Sequence, residues 1–375
     1  MTTQQPETSV LHLIDTGGPG GAETVFAQLA QRIVIAGLRP VTVVPRDAWL
    51  AGSLRSRGLE PLVINSRGSF NMRYVGALLR LTRQRRVRLI HTHLLGSAVY
   101  GALIGLVRRV PVIAVLHGPT DLRAPGRMAF LKRWLLKRGC SVVVAVSTST
   151  RDALAEFGVR RERVTLIRNG VDTEAYTPGH AEDLRRELGL TSEDLLVGAV
   201  GNIRAPKAYE VLLHAAKTVL ERCPRAFFVV VGEGNEASLR PLLQLCETLD
   251  IGGRVKFVGF RKTEAALFRN FDVFVSSSRS EGLSLAFLEA MATGRPIVAT
   301  RSGGPQEAVV PGDSGILVPI EDPPALAAAL LDVLSDAGLR ARVGAAARSH
   351  VVANFSLDAT VREYEALYRR LAGTD

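Results

Sequence analysis

Two carboxylates eight positions apart, Glu281 and Glu289, frame the part of this chain best suited to chemistry. They follow the apolar run Phe271-Asp272-Val273-Phe274-Val275, which reads as a buried strand. Glu281 falls in the loop leaving that strand, Gly282 lets the backbone turn sharply, and a helix then begins. Glu289 lies inside that helix, between Leu288 and Ala290 and close to Met291. A carboxylate in such apolar company is costly to bury unless something hydrogen-bonds to it. No basic residue stands three or four positions away, so the partner must come from elsewhere in the fold or from a ligand. A sugar or ribose with paired hydroxyls is one candidate, because a carboxylate accepts several hydrogen bonds at once.

Other loops carry candidate groups. Gly17-Gly18-Pro19-Gly20-Gly21 follows the first apolar run and opens a helix, a setting where backbone amides can approach a phosphate. It lacks the dinucleotide GxGxxG spacing, since Ala22 takes the third glycine position, and it lacks the GK[ST] ending of a P-loop. A merely flexible turn is the plainer alternative. Gly201-Asn202-Ile203-Arg204-Ala205-Pro206-Lys207 places two cations three residues apart, which suits a diphosphate. Alone, that pair reads equally as solvated surface charge; beside Glu281 and Glu289 the diphosphate is preferred. His117 leaves another strong apolar run and could donate to a ligand oxygen or serve a structural role. Gly303-Gly304-Pro305-Gln306-Glu307 reads as a tight turn, with binding an open alternative, and Asn169-Gly170-Val171-Asp172 reads as a structural turn. No Asp-x-Asp, HExxH, GxSxG or CxxC occurs, so no metal site is expected.

The elements that position these loops are short Val/Ile/Leu-rich runs alternating with longer amphipathic ones. Strands are expected at 11–14, 41–44, 62–64, 89–90, 112–116 and 142–146, and again at 195–200, 227–231, 255–258, 273–275, 297–299 and 316–318. The alternation predicts two doubly wound parallel-sheet (Rossmann-like) α/β domains facing a cleft, with ligands beyond the carboxyl ends of the strands. A polar lapse over 171–180 reads as the linker. The expected division is 1–175 and 181–355, with 356–375 a helix crossing back to the first domain.

Composition narrows the class. The 375 residues are 47% hydrophobic and 22% charged, as a well-packed globular protein would be. Cys140, Cys223 and Cys246 are far apart and suggest a reducing compartment. Residues 1–9 lack a signal-peptide pattern, and the longest uncharged apolar run, 94–107, is shorter than the roughly 20 residues a bilayer span needs. The expectation is a cytoplasmic protein. Its net charge of +11 invites an anionic partner. The excess clusters at Arg80, Arg83, Arg85, Arg86 and Arg88 and again over 123–138. There Met128, Phe130, Leu131, Trp134, Leu135 and Leu136 alternate with cations, the pattern of a basic amphipathic helix on an anionic membrane or of an ordinary surface helix. Nucleic acid fits poorly: aromatics are 6% and no nucleic-acid-binding module is evident.

The segment from Glu281 to Glu289 resembles the E-x7-E signature of retaining GT-B glycosyltransferases of family 4. Gly20-Gly21-Ala22-Glu23, Asn169-Gly170-Val171-Asp172, Val231-Gly232-Glu233-Gly234, Phe257-Val258-Gly259-Phe260 and the set Gly294, Pro296, Gly303, Gly304, Glu307 and Gly315 are similar to the family's other motifs. The resemblance implies that Glu281 contacts donor-sugar hydroxyls and Glu289 the ribose. It implies that Arg204 and Lys207 hold the diphosphate, helped by the amides of Gly282, Leu283 and Ser284. His117 would reach the donor, with Gly20 and Gly21 near the phosphates and acceptor. Two departures stand out: Asn202 where many members have arginine, and Ala208 where many have glycine. The expected reaction is transfer from a nucleoside-diphosphate sugar, UDP before GDP, to a hydroxyl of a lipid-linked glycan or polysaccharide precursor, with retention and no cofactor. A nucleotide-sugar epimerase or hydrolase, or a non-catalytic assembly protein, are the alternatives.

Overall fold

A computed structural model of the chain describes residues 8–35, 37–66, 70–122 and 129–373. It forms two compact units, 1–168 with 359–375, and 169–358.

The first unit holds a seven-stranded sheet in the order β3-β2-β1-β4-β5-β6-β7. Its strands are β1 (Thr8–Ile14), β2 (Leu38–Val44), β3 (Leu62–Val63), β4 (Val87–His93), β5 (Val112–Leu116), β6 (Val142–Ala145) and β7 (Val164–Leu166). The second unit holds a six-stranded sheet in the order β10-β9-β8-β11-β12-β13. These are β8 (Leu195–Val200), β9 (Ala226–Val231), β10 (Val255–Phe257), β11 (Val273–Ser276), β12 (Ile297–Thr300) and β13 (Ile316–Val318). Every pairing between these strands is parallel. Both sheets are therefore doubly wound α/β, with helices burying Val/Ile/Leu faces on either side.

All twelve expected strands are present. A thirteenth, β7, was not expected. It is three residues long, half-buried throughout and at the sheet edge, so it carries no strong apolar run. The apolar run 94–107 is a helix, Leu95–Arg108, and among the described residues no helix is long and apolar enough to cross a membrane. The three cysteines are free thiols.

The polar stretch 171–180 is tied into the second unit. The Arg348 guanidinium donates to the carbonyls of Thr173, Tyr176 and Ala292 at 2.6–2.9 Å. Val171 donates to the Phe355 carbonyl and accepts from the Leu357 amide, both at 2.9 Å. The last helix, Leu357–Ala372, buries Tyr364 and Tyr368 against the first sheet.

Of the basic segment 123–138, residues 123–128 lie outside the described residues. The helix Ala129–Gly139 buries Leu135 and Leu136 and leaves Phe130 81% and Trp134 44% exposed. Arg133 lies over the Phe157 ring, 4.9 Å from its centroid.

Candidate functional site

Strand order reverses between β8 and β11 in the second sheet, so the loops leaving these strands flank one crevice. They are 201–208 and 277–284, the two loops that sequence singled out. They meet at Lys207 and Glu281: Nζ lies 2.5 Å from Oε2, with the side chains 14% and 18% exposed. The Ser278 hydroxyl donates to the same carboxylate oxygen at 3.2 Å, and the Ser277 hydroxyl to the Lys207 carbonyl at 3.0 Å. Arg279 was not foreseen. Its amide donates to the Pro206 carbonyl at 2.8 Å and its guanidinium to the Ala205 carbonyl at 2.9 Å, while Glu210 and Glu321 pair with it. A single arginine beside a carboxylate gave no motif by which to find it.

The backbone around Glu281 is fixed from a third loop. Its amide donates to the Ser302 carbonyl at 2.9 Å, and its carbonyl accepts from Gly304 at 3.1 Å. A Cβ on Gly304 would overlap the Gly282 carbonyl, so only glycine permits this approach. Gly303 sits at φ +113°, with its amide donating to the Gln306 side chain at 2.8 Å, and so forms the expected tight turn. The Asn169 amide group donates to the Leu283 carbonyl at 2.7 Å. The helix Leu285–Ala292 then starts after Ser284 without a side-chain cap, leaving its first amides as donors for an anion.

Arg204 is exposed, and its carbonyl accepts from the Lys207 amide at 2.9 Å to close a 3-10 turn, Ala205–Lys207. Arg204 and Glu281 both act electrostatically on the buried Tyr209 phenol, which donates to the Gly201 carbonyl at 2.7 Å. Ala208, the residue in place of the family's glycine, is held at φ 49°, ψ 47° with no exposure. That left-handed conformation costs an alanine about 1 kcal/mol. The turn keeps the geometry a glycine would adopt and carries the strain.

Glu289 is 3% exposed. Burial pushes its carboxyl up to about 8, and the Tyr176 hydroxyl beside it opposes the shift. Tyr176 in turn donates to the Thr263 carbonyl at 2.5 Å. Tyr176, whose separation along the chain concealed it, is thus the neighbour the fold brings to Glu289, with a ligand the other partner the sequence allows.

The first sheet reverses between β1 and β4. The glycine-rich loop leaves β1, and the helix Gly21–Arg32 begins after Gly20. A Cβ on Gly21 would meet nothing within 4 Å. Asp15, which sequence did not flag, follows β1; its Oδ1 is buried with no hydrogen-bond partner among the described residues. Burial and the nearby charges of Asp121 and Glu23 push its carboxyl up to about 6, against its own backbone and Lys132.

His117 leaves β5, half-buried. The Asp121 carboxylate accepts from the His117 amide at 2.7 Å and the Gly118 amide at 3.2 Å, which fixes this loop. The ring Nε2 lies 3.0 Å from His93 Nδ1. Behind it a row of buried imidazoles continues, with His93 to His91 centroids 4.7 Å apart and His91 to His12 5.2 Å. Burial lowers His117 to about 4 and His12 to about 3, and lowers His91 and His93 as well, so all four are neutral at pH 7. His91 and His93, two apart on β4, share one face, which is the period-2 signal that could have revealed them.

Among the described residues no cluster of histidine, cysteine or carboxylate side chains has the geometry to hold a metal ion.

Known proteins resemble this chain in sequence and in fold. Residues 19–175 match the profile of Glycosyltransferase Family 4, and residues 194–336 that of Glycosyl transferases group 1. The D-inositol 3-phosphate glycosyltransferase of Corynebacterium urealyticum is 30% identical, over 97% of this chain and 94% of its own length. The N-acetyl-alpha-D-glucosaminyl L-malate synthase of Bacillus anthracis is 28% identical over 80% of this chain and 79% of its own. Anabaena HepE, solved in complex with UDP-glucose, superposes with a TM-score of 0.87 over 97% of this chain and 100% of its own, at 24% identity. Sucrose-phosphate synthase from Thermosynechococcus elongatus gives 0.80 at 22% identity, over 98% of this chain and 100% of its own. The fold is GT-B, and with a relative this similar across nearly its whole length the chain belongs to glycosyltransferase family 4 and is a glycosyltransferase.

Proposed function

We propose that the enzyme moves a sugar from a UDP-sugar to an acceptor hydroxyl, with retention at the anomeric carbon and without a divalent metal. The observation that carries this is the Lys207–Glu281 pair at the reversal of the second sheet, beside the uncapped start of the helix Leu285–Ala292. Such a place combines a cation, backbone donors and a hydroxyl-accepting carboxylate, the groups a sugar diphosphate requires. The UDP complexes of HepE support the choice of base.

In this scheme Lys207 and Arg204 stabilise the charge that develops on the departing diphosphate. Gly282, Leu283 and Ser284 contribute amides, Glu281 accepts from donor-sugar hydroxyls and Glu289 from the ribose. His117 donates to an oxygen of the donor, and Gly20 and Gly21 leave room for phosphate and acceptor. The bond from the anomeric carbon to phosphate breaks while the acceptor oxygen bonds to the same face. The acceptor proton passes to the leaving phosphate. In this scheme Glu281 is not assigned as the nucleophile, and its Oε2 is engaged by Lys207 and Ser278.

For the acceptor, a lipid-linked glycan is supported by the exposed Phe130 and Trp134 among the cations of the helix Ala129–Gly139. That helix would rest on an anionic inner leaflet. A second acceptor class, a small anionic hydroxyl compound, is favoured by relatives named for inositol 3-phosphate and malate.

The test is turnover of UDP-sugars against a panel of both acceptor classes, with the product anomer read by NMR. Retention, with activity unchanged by EDTA, is expected. An inverted product, or sugar released equally fast without acceptor, contradicts the proposal. Co-sedimentation with anionic vesicles at low salt separates the acceptor classes.

A further inference from the structure

We propose that His93 is a positioning residue, which fixes the His117 ring in the tautomer that presents an Nδ1–H to the ligand. This deepens the role proposed for His117 and rests on it for its catalytic meaning.

The two rings share one hydrogen bond, between His93 Nδ1 and His117 Nε2 at 3.0 Å, with centroids 5.2 Å apart and planes 22° from parallel. Both are neutral at pH 7, so each ring carries one proton and only two assignments are possible. In the first, His93 donates from Nδ1 and His117 accepts at Nε2. His117 then carries its own proton on Nδ1. In the second, the roles reverse and His93 carries its proton on Nε2.

His93 decides between them. It is 0% exposed, and its Nε2 has no hydrogen-bond partner among the described residues. The His93 ring packs against those of Phe26 and His91, with centroids 5.3 Å and 4.7 Å away. A buried N–H without an acceptor is rarer in folded proteins than an unused lone pair. An N–H directed at the Phe26 ring would recover only part of the loss. The first assignment leaves only a lone pair unused. The His117 ring is therefore a donor at Nδ1, its remaining polar atom, and its loop is fixed by Asp121. A donor there suits a phosphate or sugar oxygen, whereas the reverse tautomer would turn a lone pair toward it.

The test uses the full-length enzyme labelled with 15N-histidine, with two-bond 1H–15N correlations at pH 7 assigned by single histidine substitutions. The wild type should show His117 and His93 both as Nδ1–H. His117 as Nε2–H would overturn the inference, and this measurement needs no variant to fold. In His93→Leu the His117 ring should revert to the Nε2–H form that free imidazole side chains prefer, with kcat falling on the order of tenfold. An unchanged His117 tautomer in folded His93→Leu would equally overturn it. The catalytic role of His117 fails separately, if His117→Ala keeps wild-type kcat whatever the tautomer.

Discussion

The two units repeat one architectural plan and treat polar groups in opposite ways. The first unit buries a row of uncharged polar rings: His12, His91, His93 and His117 are all held neutral. At the carboxyl edge of the second sheet charge is kept and paired. Lys207 meets Glu281, and Arg279 meets Glu210 and Glu321. A buried group that is neither neutral nor paired is too costly to keep. Fixed charge suits a diphosphate, and neutral donors suit hydroxyls.

The sharpest way to break this contrast is to remove the paired cation. Lys207→Ala should lower kcat about a hundredfold or more. Its melting temperature should fall, because Glu281, only 18% exposed, loses its cation, so turnover is compared in the folded variant. A folded variant with wild-type turnover would show that the second unit's charge has no part in the chemistry.

The units should also respond to pH with opposite sign. The unfolded histidines titrate near 6.5 and the folded ones lower, to about 4 for His117 and about 3 for His12. Below pH 6.5 the unfolded chain therefore binds more protons, and acidification costs the first unit stability. Glu289 runs the other way. Its carboxyl titrates near 4.5 unfolded and about 8 folded, so the folded chain holds the extra proton between these values. That stabilisation is complete below pH 4.5 and is lost as pH rises through 8. Thermal melts of Glu289→Gln across this range should show a flatter decline on the alkaline side than the wild type. Identical slopes would place a charged carboxylate at 289.

The smallest effect is at the strained turn. Ala208→Gly relieves a left-handed alanine at the price of a looser unfolded chain. A gain of about 0.5 kcal/mol is expected, read from chemical denaturation. A clear loss would mean that packing around Ala208 outweighs its backbone strain.

Much of this was legible in the chain. Twelve strands stood out as apolar runs because parallel strands are buried on both faces. The loops bearing Lys207, Glu281 and His117 followed directly, since each leaves such a run. What stayed hidden depended on contacts between distant positions. Tyr176 reaches Glu289, and Arg348 ties down the stretch 171–180 that had read as a linker. His12, His91 and His93 lie inside β1 and β4, whose polar members were passed over, and Asp15 directly follows β1. β7 escaped because an edge strand of three half-buried residues has almost no apolar signature.

The most direct test is calorimetric titration of UDP into wild type, Lys207→Ala and Glu281→Gln. Lys207→Ala should bind at least about tenfold more weakly. Glu281→Gln should bind UDP several-fold more tightly, since the lysine no longer has a competing carboxylate, although turnover falls. UDP binding equally well to all three would contradict the claim that this ion pair receives the diphosphate.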